Sequence, residues 1–250
     1  MKSVIVDNVE IGAGRPKVIV PIVGKTEEAI LKAAREVQET GCDLVEWRID
    51  HYNKVTEAGA VAELSFKVKE AIGRPLLTTF RSFKEGGELD ISDDKYFEIY
   101  ADLIENGTTD LLDVELFMPE AGAKETIANA KAKGIKVVLC NHDFDKTPAG
   151  EEIVKRLLAM EEKGADICKI AVMPQSPDDV LTLLSATQEV YKQVEVPLIT
   201  MSMGALGMVS RVSGEVFGSA ATFGSAGQAS APGQVPVKQL QQIIDTLKLD

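Results

Sequence analysis

Short apolar segments rich in β-branched residues recur along the whole chain, about 20–35 residues apart, which is the spacing that repeated βα units need. Strands that are apolar along their entire length are typical of parallel strands covered on the outside by helices. A series of such units predicts an α/β fold, a closed (β/α)8 TIM barrel. The eight predicted strands are Val18–Val23, Leu44–Ile49, Leu76–Phe80, Leu111–Leu116, Val137–Cys140, Ile167–Val172, Leu198–Met201 and Val216–Phe223.

Helix start signals between the strands support this division. Ser176 can cap a first turn, Pro177 suits the first helical position, and apolar residues follow on one face from Val180. Similar signals predict helices that begin near Thr26, Ser92 and Thr147.

The segment before the first barrel strand has a different pattern. Residues 3–15 alternate apolar and polar around Gly12 and Gly14, which predicts a β-hairpin, residues 1–16, that closes one end of the barrel. A doubly wound sheet is the alternative fold, but its glycine-rich turn would follow the first strand, whereas these glycines precede it. We expect residues 1–250 to form a single barrel domain.

The charge balance limits the partners that the protein can have. Lys and Arg number 27 and Asp and Glu number 39, so the net charge is −12. An acidic surface repels nucleic acid and anionic membranes, and neither is expected as a partner. The chain lacks the apolar run of about 20 residues that a membrane helix needs, and its N-terminus is unlike a secretion signal. We therefore expect a cytoplasmic protein.

Cysteine and histidine usage does not indicate a metal centre. The three cysteines are widely spaced and the two histidines are His51 and His142. Neither a disulfide framework nor a zinc site is suggested by these spacings, so no metal is expected. The cysteines are interpreted as small buried apolar residues, and His51 as a turn residue.

Charged residues cluster where the predicted strands end. Active sites of barrels lie at the carboxyl ends of the strands, so these positions are candidates for chemistry. The two-residue period of a strand places Glu46, Arg48 and Asp50 on one face. The other strand ends supply Arg81, Glu85, Asp113, Glu115, His142, Lys169 and Arg211.

Lys169 is the sharpest signal, because a lysine flanked by apolar residues in a buried strand points into the barrel. Desolvation and nearby arginines would lower its pKa and leave free amine to attack a carbonyl group. The alternative is a structural lysine paired with Asp113, Glu115 or Glu46.

Two further groups have a functional and a structural interpretation. His142 could be the acid–base partner of the lysine, or a histidine in a capped loop. Arg48, Arg81 and Arg211 could hold an anionic ligand, or could balance the neighbouring carboxylates.

Two glycine-containing loops follow the last strands. Gly204 and Gly207 lie where many barrels bind phosphate, although two glycines are weak support for such a site. Residues 218–236 are small and glycine-rich, and are predicted to be a mobile loop that closes over a substrate. The alternative is an ordinary connection to a last helix, Val237–Leu247.

The motifs together identify a family resemblance that covers essentially the whole chain. The sequence resembles the type I 3-dehydroquinate dehydratases, the Schiff-base dehydratases of the shikimate pathway. The resemblance is carried by Glu46-Trp47-Arg48, Thr79-Phe80-Arg81-Ser82, Glu85-Gly86-Gly87-Glu88, Asn141-His142-Asp143-Phe144, Lys169-Ile170-Ala171, Met201-Ser202-Met203-Gly204, Ser210-Arg211 and Ser230-Ala231-Pro232-Gly233-Gln234.

The resemblance implies a reaction and a role for each side chain. Lys169 would form an imine with the ring ketone of 3-dehydroquinate, and His142 would act as base and then as acid in a syn elimination that yields 3-dehydroshikimate. No metal or organic cofactor is required, and a homodimer is expected. The resemblance also implies substrate contacts from Glu46, Arg48, Arg81, Arg211, Ser230 and Gln234, and support from Glu85, Asp113, Met201, Met203, Phe223 and Ala231.

Two other functions remain open at this stage. An aldolase-like barrel that cleaves a sugar phosphate would use the same lysine chemistry but would need a phosphate site near Gly204–Gly207. A barrel that binds a small acid without catalysis would bind its ligand without forming an imine.

Overall fold

The structure, a computed structural model, describes residues 2–226 and 234–249. The strands are β1 Val4–Val6, β2 Val9–Ile11, β3 Lys17–Ile22, β4 Leu44–Arg48, β5 Leu76–Thr79, β6 Leu111–Glu115, β7 Lys136–Asp143, β8 Ile167–Val172, β9 Leu198–Ser202, β10 Ala221–Ser225 and β11 Val235–Pro236. The helices are α1 Glu27–Gln38, α2 Ala60–Ile72, α3 Asp93–Asn106, α4 Glu120–Ala132, α5 Gly150–Glu162, α6 Pro177–Tyr191, α7 Met208–Val212, α8 Gly214–Phe217 and α9 Val237–Thr246.

Strands β3 to β10 form a closed parallel barrel. They are paired in chain order from β3 to β9, and β10 pairs with β3. The ring closes between β9 and β10, where the Ala220 N–H donates to the Leu198 carbonyl over 2.7 Å. The predicted (β/α)8 barrel is confirmed, and the alternative of an open doubly wound sheet is wrong.

The barrel interior begins with an apolar floor at the amino end of the strands. Each of the eight barrel strands contributes one inward-facing residue to this floor: Ile19, Leu44, Leu77, Leu111, Val138, Ile167, Ile199 and Ala221. The neighbouring residues of each strand face outward and pack under the helices, as Val45 and Trp47 do. This two-residue alternation sends the polar residues of the later strand positions into the barrel.

The predicted N-terminal hairpin is confirmed. Strands β1 and β2 pair antiparallel, from Val4 with Ile11 to Val6 with Val9. Val6 and Ile11 are buried against the apolar floor of the barrel. The hairpin therefore covers the amino end, the end opposite the expected active site.

The helix start signals are largely confirmed. Ser176 and Asp179 form a reciprocal capping box at the start of α6, and Thr26 and Ser92 cap α1 and α3. Helix α5 begins at Gly150, three residues beyond Thr147, which belongs to the preceding connection. Among residues 2–226 and 234–249, none of the helices is long and apolar enough to cross a membrane.

The last barrel strand differs from the predicted segment, Val216–Phe223. Residues Gly214–Phe217 form one helical turn, and the strand runs instead from Ala221 to Ser225. The segment 218–236 that we predict to be a mobile loop therefore contains β10 and the short β11, which pair in parallel. The part of that loop at residues 227–233 lies outside the described residues.

Candidate active site

A cavity of about 620 Å³, counted with its open mouth, lies at the carboxyl end of the barrel strands. The site residues predicted from different strand ends come together here. The described residues that line it are Glu46, Arg48, Arg81, Gly86, His142, Phe144, Lys169, Ala171, Met201, Met203, Arg211, Phe223 and Gln234.

Lys169 projects from β8 into the base of this cavity and is 3% exposed. Its Nζ donates to Asp113 Oδ2 over 3.0 Å and lies 3.6 Å from Glu46 Oε1. It also lies 4.9 Å from the ring centre of Phe223. Both the functional and the structural interpretation of this lysine therefore have support, since it is paired and also faces the cavity.

The predicted lowering of the Lys169 pKa is wrong. Burial does act to lower the pKa of Lys169, but the charges of Asp113 and Glu46 outweigh it and raise the pKa above the ordinary value. Desolvation also opposes ionisation of Asp113, yet the cationic Arg81 and Lys169 hold its pKa down at about 2. The sequence shows the cations near Lys169 but does not show that two carboxylates lie closer.

Arg81 connects three carboxylates above the lysine. Its two terminal nitrogens donate to Asp113 Oδ1 and Glu115 Oε1, each over 2.7 Å, and Nη1 lies 3.5 Å from Glu85 Oε2. Although Arg81 is buried, the negative charges of Asp113 and the neighbouring groups raise its pKa well above its usual range. Arg81 is a fixed cation that organises this side of the cavity as well as lining it.

His142 lies at the end of β7 and is oriented by Glu85. Its Nδ1 and its backbone N–H are each 2.9 Å from Glu85 Oε2, and the Asn141 amide donates to Glu85 Oε1 over 3.0 Å. Burial, with the charges of Arg81 and Lys169, lowers the pKa of His142 well below its usual range. The imidazole is therefore neutral, and its Nδ1 interacts with the carboxylate.

Glu85 has an unusual proton affinity for a carboxyl group. Burial, with the nearby charge of Glu115, raises its pKa to about 7, although Arg81 opposes the change. Glu85 and His142 thus form a buried acid–base pair in which one proton can be shared near neutral pH. Sequence analysis gave Glu85 only a supporting role.

Arg48 is fixed by Asp50, a carboxylate that sequence analysis placed on the same face and gave only the role of balancing an arginine. The Arg48 guanidinium donates from Nε and Nη2 to the two Asp50 oxygens, each over 2.8 Å. The same carboxylate accepts the backbone N–H groups of Arg81 and Glu88. Its position two residues after Arg48 is the one signal in the sequence that could have identified it.

The opposite wall of the cavity combines apolar side chains with a cation. Met201, Met203 and Phe223 are buried there, and Arg211 Nη1 lies 3.8 Å from Met201 Sδ. Burial lowers the pKa of Arg211 to about 10, which still leaves it charged near neutral pH. Gln234 lines the cavity, whereas Ser230 and Ala231 lie outside the described residues.

Cys140 is more than a small apolar filler. Its Sγ donates to Asp113 Oδ1 over 2.9 Å and receives a hydrogen bond from Arg81 over 3.2 Å. Glu85, Cys140 and His142 bring possible metal-ligand atoms within 4.8 Å of one another. Burial, however, raises the thiol pKa well above its usual range, and the guanidinium of Arg81 occupies this space, which disfavours a cation.

Gly207, in the connection after β9, has a packing explanation. A Cβ atom on Gly207 would lie 2.2 Å from the carbonyl oxygen of Ser202, so only glycine allows this close approach. Among the described residues, those that line the cavity do not include 204–207. The loop therefore gives no support to a sugar-phosphate site.

A (β/α)8 barrel whose cavity at the carboxyl end holds a buried lysine, a carboxylate-bound histidine and several arginines has the arrangement of an enzyme active site. Residues 18–250 match the model of the type I 3-dehydroquinase family. The chain belongs to this family, as the sequence motifs predicted.

Similar proteins of known name agree with this assignment. The 3-dehydroquinate dehydratase of Enterococcus faecalis is 56% identical over 250 residues, 99% of each chain. A solved structure of that enzyme has a TM-score of 0.93 and 53% identity, covering 98% of this chain and 100% of the other. The type I enzyme of Clostridium difficile, solved with covalently modified comenic acid, has a TM-score of 0.95 and 48% identity. The match covers 99% of this chain and 98% of the other. The predicted class, a hydro-lyase of this family, is confirmed.

Proposed function

We propose that the protein converts 3-dehydroquinate to 3-dehydroshikimate and water, a step of the shikimate pathway, through an imine on Lys169. The observation that carries the proposal is the position of Lys169, whose buried amine faces the cavity beside the Glu85–His142 pair. The covalently modified ligand in the Clostridium difficile relative also supports a nucleophile in this family.

The first step is attack of the free Lys169 amine on the ring ketone. The amine must first give up a proton to the neutral imidazole of His142, because Asp113 and Glu46 hold it as an ammonium group. The new C–N bond gives a carbinolamine, whose hydroxyl takes that proton back from His142 and leaves as water, and a protonated imine remains. The imine withdraws electrons from the neighbouring carbon and so acidifies its C–H bond.

His142 then removes that proton. Its Nδ1 interacts with Glu85, so Nε2 is the nitrogen that serves the substrate. The electron pair of the C–H bond forms an enamine. When this electron pair returns, the hydroxyl on the adjacent carbon leaves. That hydroxyl takes the proton from His142 and departs as water from the same face of the ring. Hydrolysis of the imine releases the product and restores the Lys169 amine.

The remaining polar groups would bind the substrate. Arg211 would take the carboxylate, since it is a cation next to an apolar wall. Glu46 and Arg48 would contact ring hydroxyls from β4. Arg81 would contribute mostly through its charge, because its terminal nitrogens already donate to Asp113 and Glu115.

The test is to trap the imine. Wild-type protein is mixed with 3-dehydroquinate, borohydride is added, and the adduct is located by mass spectrometry of peptides. We expect the mass increase on Lys169, and no adduct in Lys169→Ala. The matched control is Lys133→Ala, which removes an exposed lysine and should leave trapping intact. Turnover by the Lys169→Ala variant at the wild-type rate would overturn the mechanism, and a lack of any dehydration by wild type would overturn the function.

Two properties implied by the family remain predictions. We propose a homodimer, which light scattering on the purified protein would test. We also propose a cytoplasmic location, which cell fractionation would test.

A further inference from the structure

A chain of hydrogen bonds leads from helix α5, outside the barrel, to the acid–base pair. Arg156 Nη1 donates to Asn141 Oδ1 over 2.9 Å, and Asn141 Nδ2 donates to Glu85 Oε1 over 3.0 Å. The other Glu85 oxygen interacts with His142 Nδ1. Asn141 is 4% exposed, so this connection is largely shielded from water.

The Arg156 side chain is itself held in place. Its Nε donates to Glu152 Oε1 over 2.8 Å, and its guanidinium carbon lies 5.3 Å from the ring centre of Phe117. Its side chain is 18% exposed. Among the described residues that line the cavity, Arg156 does not appear, so it acts on the substrate only through other residues.

The chemistry of the three groups fixes the direction of the connection. A guanidinium can only donate hydrogen bonds, so the Asn141 carbonyl must face Arg156. The amide NH2 group then faces Glu85, where it stabilises the carboxylate form. If the amide were reversed, its carbonyl would face the carboxylate and would oppose ionisation of Glu85.

We propose that Arg156 is a positioning residue that orients the Asn141 amide toward Glu85 and thereby maintains the working protonation state of the Glu85–His142 pair. The proposal rests on the proposed function, in which this pair moves the proton of the substrate C–H bond. Several charged and titratable groups also face the pair: Arg81, Glu115 and Cys140 act on Glu85, and Arg81, Lys169 and Arg48 act on His142. All of them are retained in the variants below.

The first test is a double-mutant cycle on the pH dependence of kcat/KM. Without Arg156 the amide loses its fixed orientation, so proton binding to the pair is expected to strengthen. We expect Arg156→Met to shift the acid limb upward by about half a pH unit, and Asn141→Ala to shift it at least as far. In the Asn141→Ala background, Arg156→Met should add nothing, because the residue through which Arg156 acts is gone.

Two variants complete the cycle. Arg156→Lys keeps a cationic donor and is expected to restore most of the wild-type profile. Arg156→Leu also removes every donor and replaces Arg156→Met if that variant fails to fold. Equal shifts from Arg156→Met in both backgrounds, or no shift in a folded variant, would overturn the proposal.

The second test does not need substrate. The chain has two histidines, so their ring signals can be followed by nitrogen NMR during a pH titration. We expect Arg156→Met to change the titration of the Glu85–His142 pair and to leave that of His51 unchanged. Identical His142 titrations in wild type and variant would contradict the proposal. If wild type fails to dehydrate 3-dehydroquinate but the NMR change is present, the proposed function fails and the positioning role of Arg156 stands.

Discussion

Lys169 of β8 reaches past β7 to pair with Asp113 of β6, and the distance from Nζ to Oδ2 is 3.0 Å. Cys140 of the intervening strand contacts the other Asp113 oxygen at 2.9 Å. The candidate nucleophile is therefore an ammonium group in a buried network before substrate arrives. Under the proposed mechanism, this network must change before the amine can attack the substrate.

The first prediction concerns this pair. Asp113→Asn removes the largest charge that favours the ammonium form, so the pKa of Lys169 should fall. We expect borohydride trapping with 3-dehydroquinate to become half-maximal at a lower pH than in wild type. The control is Asp178→Asn, which changes an exposed carboxylate in the first turn of α6. An unchanged trapping profile in folded Asp113→Asn would contradict the assignment.

Acid stability should depend on the same carboxylate. The pKa of Asp113 in the folded protein is about 2, below its ordinary value of 3.8, so its ionised form stabilises the fold above the ordinary value. This contribution, about 2 kcal/mol, is lost as the pH falls through the window from about 4 to about 2. Denaturant unfolding at several pH values should show a shallower pH dependence in Asp113→Asn than in wild type. If the free energy of unfolding depends on pH equally in both proteins, Asp113 has an ordinary pKa.

Asp50 should control substrate binding through Arg48. All of its partners are donors: the Arg48 guanidinium and the backbone N–H groups of Arg81 and Glu88. An amide cannot accept from all of them, so Asp50→Asn should release Arg48 and raise KM on the order of tenfold, with a smaller change in kcat. The control is Asp90→Asn, which changes an exposed carboxylate two residues after Glu88. A fall in kcat alone would contradict this role.

The hairpin should contribute to stability and not to chemistry. Ile11 is fully buried against the apolar floor, whereas Ile5 of the same hairpin is 65% exposed. Ile11→Ala should lower the free energy of unfolding by about 2–5 kcal/mol and leave kcat/KM nearly unchanged. Ile5→Ala should have little effect on either quantity. An equal loss of stability in both variants would mean that the hairpin does not pack as described.

The cysteines should be unreactive in the folded protein. Cys42, Cys140 and Cys168 are all buried, and burial raises their pKa, that of Cys168 to about 12. Thiolate is the reactive form, so an aromatic disulfide reagent should label these thiols only after unfolding. Rapid labelling of any of the three in native protein would contradict their placement.

Much of the site could be predicted because the period of a strand is a local property. Glu46 and Arg48 line the cavity as that period requires, and the apolar residues around Lys169 predicted its burial correctly. The strand predicted at Val216–Phe223 was misplaced, because local hydrophobicity does not show that Gly214–Phe217 forms a helical turn.

Other features depend on contacts between distant parts of the chain. The backbone partners of Asp50 lie on a different strand end, and Arg156 reaches Asn141 from a helix. The direction of the Lys169 pKa depends on which charges lie closest in space. Spacing along the sequence does not show which of these groups lie closest in space, so it cannot decide between the alternative interpretations.

The hairpin that covers the amino end of the barrel has a consequence for turnover. Ile11 and Val6 seal the interior with hydrocarbon, so a polar molecule in the cavity enters and departs through the mouth at the carboxyl end. Incoming and outgoing molecules therefore share that passage. Product must therefore leave the cavity before the next substrate molecule binds. Accumulated product slows the enzyme because it competes with substrate for the cavity.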